Sequence, residues 1–316
     1  MEFIIRKGVL SQYNGPGGEA VIPEGVQTIG ENVFEKCESL TGVTIPEGVC
    51  LIGKDAFCAC GHLARAVLPG SAATIGIGAF AHCRSLTSVT LPEGVQFIDG
   101  WAFSCCDGLT AAVIPETVKA IGERAFYRCT ALTEVTIPKR VQRIGDCAFA
   151  GCRRLTRVTI SEGVIALGPN MFKDCVRLDS VTLPKSVEAV TGAAFSGSSA
   201  ALLAPHIPIF GIDKEDRPAA LKGFARLYLE GAEMEEAVRA EYLKYIRNQK
   251  RKLYPLAVQQ VEVLRLLFAA RLVARKDVGA LLEECGRQRN PAAMAEVLEC
   301  ANRTFQPADP TKEFRL

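Results

Sequence analysis

The stretch Ala131-Leu132-Thr133-Glu134-Val135-Thr136-Ile137-Pro138-Lys139-Arg140-Val141-Gln142-Arg143-Ile144-Gly145-Asp146-Cys147-Ala148-Phe149-Ala150-Gly151-Cys152 decides how this chain folds. Leu132 to Ile137 places apolar residues at near-alternating positions with β-branched residues between them, the pattern of a short strand. Pro138 cannot donate to a ladder, so it ends that strand and turns the chain. Val141 to Gly145 reads as a second short extended piece, with Gly145 expected to supply a turn at positive φ. Phe149 and Cys152 lie three residues apart, which predicts one helical turn with both side chains on the same face.

The same unit recurs every 23 residues. Its phenylalanine returns as Phe34, Phe57, Phe80, Phe103, Phe126, Phe149, Phe172 and Phe195, and a cysteine follows each of the first seven by three positions, from Cys37 to Cys175. A period this strict signals stacked repeats. One unit is too small to bury its Leu, Val, Ile, Phe and Cys, whereas stacking units with parallel strands about 4.8 Å apart buries them all. Such molecules act through extended surfaces more often than through enclosed pockets. Seven of the 13 cysteines are accounted for by the repeat, at an inward position where a free thiol serves as a small apolar group.

The recurring Ile-Pro-Glu-Gly-Val-Gln-x-Ile-Gly-x-x-x-Phe-x-x-Cys-x-x-Leu-Thr pattern runs over about residues 20–200 and resembles the BspA-like leucine-rich repeat family. The lead-in from Gly8 to Gly18 is similar to the start of such proteins in anaerobic gut bacteria. The resemblance implies a parallel solenoid with a protein-interaction role, and for secreted members adhesion to host or matrix proteins. The expected fold is therefore an α/β leucine-rich-repeat solenoid of parallel strands and 23-residue repeats, followed by an all-α helical domain. The expected boundaries are an N-terminal cap over 1–20, eight repeats over 21–203, a linker over 204–217 and a helical domain over 218–316.

Beyond Pro218 the period vanishes and five helices are expected, one of them spanning Pro255 to Val273 and the last beginning at Pro291 with Asn290 as its N-cap. The tail after Phe305 is Pro-containing and polar. The 37 Lys plus Arg against 35 Asp plus Glu leave a net charge of +2, which argues against a dedicated nucleic-acid binder. Charge is nevertheless graded. Residues 1–100 carry 10 acidic and 6 basic groups, whereas 101–209 carry 9 and 12. No apolar run of about 18 residues is present, so membrane insertion is not expected. The start of the chain has no basic-then-apolar leader pattern, so as written the chain is expected to be cytoplasmic, or secreted if its N-terminus has been trimmed.

Catalytic patterns are lacking. The three histidines, His62, His82 and His206, form no metalloprotease helix motif, and no phosphate-binding glycine loop or nucleophile elbow occurs. The Cys58-Ala59-Cys60-Gly61-His62 cluster matches no zinc-ligand spacing. No cofactor, metal or catalytic residue is therefore assigned. The expected role is a non-catalytic scaffold for a protein partner that the sequence does not identify. A surface adhesin is the alternative, and a metal-binding or enzymatic role for the helical domain is the third reading. Candidate contact residues come from the outward strand column, namely Arg65, Glu134 and Arg157, and from the aromatics outside the phenylalanine series, namely Phe97, Trp101 and Tyr127.

Overall fold

The computed structural model describes residues 2–305, so the polar tail after Phe305 lies outside the described residues. The chain divides into two compact units. One contains the residues up to Ala201 together with Gly211–Asp216, and the other contains Leu202–Phe210 and the residues from Arg217 onward.

Three backbone ladders run along the repeat unit. The first is a parallel sheet built in sequence order from Gly18–Val21, Leu40–Thr44, Arg65–Val67, Ser88–Thr90, Ala111–Val113, Glu134–Ile137, Arg157–Ile160 and Ser180–Thr182. Its register advances by one repeat per strand, as in Val135 opposite Val158 and Ala112 opposite Val89. Period-two alternation then sends Val43, Val89, Val135 and Val181 inward, where each is at most 4 % exposed. The proline that follows a strand accepts the N–H of the residue three positions on, for example Val141 N–H to Pro138 O at 3.1 Å and Val118 N–H to Pro115 O at 3.1 Å, and this closes the corner.

The second ladder pairs two-residue strands, from Thr28–Ile29 through Phe97–Ile98 to Arg143–Ile144. It begins on Val9–Tyr13, which pairs antiparallel with Phe3–Arg6. The glycine that follows these strands does not have the positive φ expected from the sequence. Its role is close approach. A Cβ on Gly53 would lie 2.6 Å from Ile29 O, and one on Gly76 would lie 2.6 Å from Ile52 O. The stacking distance leaves no room for a side chain there.

The third ladder runs through the Phe-x-x-Cys segment, which is a set of turns rather than a helical turn. Cys60 N–H bonds Phe57 O at 3.3 Å, and the N–H groups of Asp55, Phe57 and Ala59 all reach across to carbonyls of the next repeat at 2.7–2.8 Å. Left-handed residues flank each phenylalanine two positions before and two after it, such as Asp55 and Ala59 around Phe57 or Trp101 and Cys105 around Phe103. They swing alternate N–H groups into line toward the neighbouring repeat.

Inside, the eight phenylalanines stack face to face at 4.7–5.8 Å, with Phe80 and Phe103 only 1° from parallel. Tyr13 extends the column at its start, 4.6 Å from Phe34. The cysteines do more than fill space. The thiols of Cys60, Cys83, Cys106, Cys129, Cys152 and Cys175 each donate to the phenylalanine carbonyl of the preceding repeat at 3.0–3.3 Å. All 13 cysteines are free thiols, and burial pushes Cys60 and Cys175 up to about 12.

At the far end of the repeat unit, backbone and side chains of residues 211–216 take the place of a further repeat. Ile212 bridges Val190, Asp213 Oδ2 accepts Gly192 N–H at 3.1 Å, and Asp216 Oδ1 accepts Phe195 N–H at 2.8 Å. Asp216 is 1 % exposed and its Oδ2 has no hydrogen-bond partner among the described residues. Burial holds its carboxyl up at about 6.

The second unit contains helices α1 (Arg217–Glu230), α2 (Glu236–Gln249), α3 (Tyr254–Gln259), α4 (Val261–Ala269), α5 (Val278–Arg287) and α6 (Pro291–Phe305). The single helix expected over Pro255–Val273 is interrupted. Gln260 is extended, at φ −123° and ψ 99°, and separates α3 from α4. Phe224 of α1 stacks on Tyr242 of α2 at 4.4 Å, and Val263, Leu264, Leu266 and Leu267 of α4 are fully buried. Lys250 reaches the buried Asp277 at 2.7 Å. Asn290 Oδ1 accepts Ala293 N–H at 3.0 Å, which makes it the N-cap of α6.

Candidate interaction surface

The outward side of the first ladder presents two columns. One runs Glu19, Gly42, Arg65, Ser88, Ala111, Glu134, Arg157 and Ser180; the other runs Val21, Thr44, Val67, Thr90, Val113, Thr136, Thr159 and Thr182. In-register pairing at 23 residues fixes these columns, because each outward residue sits beside its counterpart in the next repeat. Two ion pairs stand on this face. Arg65 meets Glu19 across Gly42 at 3.3 Å, and Arg157 meets Glu134 at 3.3 Å. Both pairs are solvent-exposed, so each contributes no more than about 1 kcal/mol.

Between them the column is low, and Ala111 stands directly beside Glu134. A groove of about 380 Å³ opens there, floored by Ala111 and Val113 and continued by Thr136 and Thr159, with Glu134 and Arg157 on one side and Glu93 and Glu116 on its rim. Val113 is 70 % exposed, an unusual state for a large apolar side chain in a strand.

The six candidate contact residues fall in three places. Arg65, Glu134 and Arg157 share the first ladder's outer face, and the last two line the groove. Phe97 belongs to the second ladder, half-buried opposite Thr74 and Ala120. Trp101 and Tyr127 project from the turn ladder with ring centroids 6.3 Å apart, and the Arg124 guanidinium lies 4.8 Å over the Trp101 ring while pairing with Glu123. Trp101 has φ 63°, an uncommon state for so bulky a residue, and its N–H is held by Glu123 O at 2.8 Å. The structure therefore brings Trp101 and Tyr127 together and places Phe97 on a different ladder. Ala111, Val113, Glu93 and Glu116 line the groove and are not among the candidates named from the sequence. Their signal is the drop in side-chain size at Ala111 beside Glu134 and Arg157.

Among the described residues no group of three or more His, Cys, Asp or Glu side chains is placed to hold a metal ion. No helix among them is long and apolar enough to cross a membrane.

Parallel strands, a 23-residue period and a continuous phenylalanine column define a leucine-rich-repeat scaffold. The BspA-type leucine-rich repeat region matches residues 13–132 and 101–208, more than half of the chain, and the chain belongs to that family. Among solved structures it is similar to a leucine-rich repeat protein of T. pallidum, with 35 % identity, a TM-score of 0.52, and coverage of 54 % of this chain and 82 % of that one. It is also similar to a leucine-rich cell surface protein of Faecalibacterium prausnitzii, with 27 % identity, a TM-score of 0.44, and coverage of 68 % and 75 %. A third is a leucine-rich repeat protein of Bacteroides ovatus, with 24 % identity, a TM-score of 0.43, and coverage of 58 % of this chain and 55 % of that one. A search of curated proteins found no match.

Proposed function

We propose that the chain is a non-catalytic scaffold that binds a protein partner on the outer face of its first ladder, at the groove around Ala111. The observation that carries this reading is the groove itself. Small outward residues, a 70 % exposed Val113 and a polar rim occur together on a rigid parallel sheet. A rigid sheet binds with little ordering cost on its own side, so modest contacts can give measurable affinity. The reading also agrees with membership of a repeat family whose architecture offers surface rather than an enclosed pocket.

The test is a comparison of wild type with Ala111→Trp in affinity capture from bacterial and host-cell lysates. The substitution points outward from an exposed strand position, fills the groove and leaves the core intact. Loss of a captured protein with an unchanged urea midpoint supports the scaffold reading. A captured protein retained equally by both forms places binding elsewhere and refutes it.

A further inference from the structure

The geometry points to a specific occupant for this groove: an extended segment of another protein that seats an apolar side chain on Ala111 and Val113 and brings lysine or arginine to Glu93 and Glu116. This inference rests on the scaffold reading above and adds the chemistry of the partner.

The glutamate that follows a strand's proline or its replacement supplies the argument. In two other repeats this carboxylate turns onto the backbone of the next repeat. Glu47 accepts the N–H groups of Gly70 and Ser71 at 2.9 and 3.2 Å, and Glu162 accepts those of Lys185 and Ser186 at 3.1 and 3.4 Å. Glu93 and Glu116 make no hydrogen bond or ion pair among the described residues, and both line the groove. They occupy equivalent positions in successive repeats, about 5 Å apart along the stack. Like charges on neighbouring repeats repel one another, and Lys139, the next residue of this column, is not part of the groove's lining. A cation between them relieves this repulsion, whereas an anionic partner adds to it.

The remaining charged groups of the groove favour the same choice. Arg157, the one cation lining the groove, is already paired with Glu134, so an acidic segment finds no unpaired cation there among the described residues. Val113 and Ala111 form a solvent-exposed apolar patch beside the two carboxylates. An extended chain turns every second side chain to the same face, so it can place an apolar residue on Val113 and bring the residue two positions along to the rim.

The test uses three fluorescein-labelled nonapeptides with serine at every second position and, at the positions between, valine alternating with lysine, glutamate or serine (Lys-Val, Glu-Val and Ser-Val), in fluorescence anisotropy at low salt with the full chain. The Lys-Val peptide is expected to bind at least about tenfold more tightly than the Glu-Val peptide. Glu93→Gln combined with Glu116→Gln should weaken Lys-Val binding about fivefold, as two exposed ion pairs warrant, and leave Ser-Val binding unchanged. A control pair, Glu24→Gln with Glu31→Gln, removes the same charge from exposed positions away from the groove and should have no effect. Equal loss in the control pair, or Glu-Val binding as tight as Lys-Val, overturns the basic-segment inference. The scaffold reading would still stand in either case if Ala111→Trp abolished capture of a protein partner, and it would fall separately if that substitution had no effect.

Discussion

Removing one ring from the interior of the phenylalanine column should cost the repeat unit about 3–5 kcal/mol. Phe126 is fully buried, 5.3 Å from the Phe103 ring and 5.1 Å from Phe149. Phe126→Ala leaves a gap that the neighbours cannot close. Their backbones are held by Phe103 N–H to Ala125 O at 2.7 Å and Phe126 N–H to Ala148 O at 2.8 Å, so collapse would break the turn ladder. The substitution therefore falls at the upper part of that range, because loss depends on how far the site can relax. Both stacked faces are lost together, each worth about 0.5–1.5 kcal/mol of the total. Urea unfolding followed by tryptophan fluorescence is the right assay, since the chain has one tryptophan, Trp101, and it lies in the repeat unit. The matched control is Tyr127→Ala, a half-buried residue one position away. A midpoint shift for Phe126→Ala no larger than that for Tyr127→Ala would refute the idea that the column holds the stack together.

Three further outcomes follow from the same geometry. Ellman's reagent should react first with the exposed Cys50, more slowly with half-buried Cys37, Cys58, Cys105 and Cys147, and with the buried thiols only on unfolding, because burial keeps them protonated and inaccessible. The Asp216 carboxyl titrates higher in the folded chain, at about 6, than its ordinary value of 3.8, so its favourable contribution is complete below about pH 4 and is lost as pH rises through 6. Thermal melts at pH 5, 6 and 7.5 should therefore show a decline in wild type that is diminished in Asp216→Asn, and parallel profiles would contradict this. Gly145→Ala should destabilise by about 1–3 kcal/mol, since its Cβ would lie 2.5 Å from the Gly122 carbonyl carbon and 2.6 Å from Glu123 Cα, whereas Ala59→Gly, at φ 59°, should be stabilising by about 0.5 kcal/mol in urea melts.

Much of the fold was legible because each repeat faces the same steric demand. The inward positions must fill the same space in every turn, so Phe, Cys, Leu and Val recur at one spacing. The reason for the glycine column was not legible. Gly53 and Gly76 are needed because the neighbouring repeat's backbone passes beside them, a distance that no single-repeat reading contains. The turn ladder left even less trace. Asn32, Asp55, Trp101, Arg124 and Cys147 all adopt the same left-handed state, and no residue type marks the position. The break at Gln260 is likewise invisible in an apolar run that otherwise reads as one helix.

The candidate surface was partly legible. The outward column containing Arg65, Glu134 and Arg157 could be read from strand alternation alone. The groove required three columns at once: those of Ala111 and of Val113 on the strand, and that of Glu93 and Glu116 beyond the prolines of two repeats. Phe97 and Trp101 stand on different ladders because the short stretch between them turns a corner from the second ladder onto the turn ladder.

The central claim is that a partner binds on the first ladder's outer face, and site-specific photo-cross-linking tests it most directly. A benzophenone side chain placed at Thr136, on the groove, is compared with one at Arg143, an exposed position on the second ladder. The account predicts a discrete cross-linked partner from position 136, lost when Ala111 is also changed to Trp, and none from position 143. A partner cross-linked from 143 and not from 136 would contradict it.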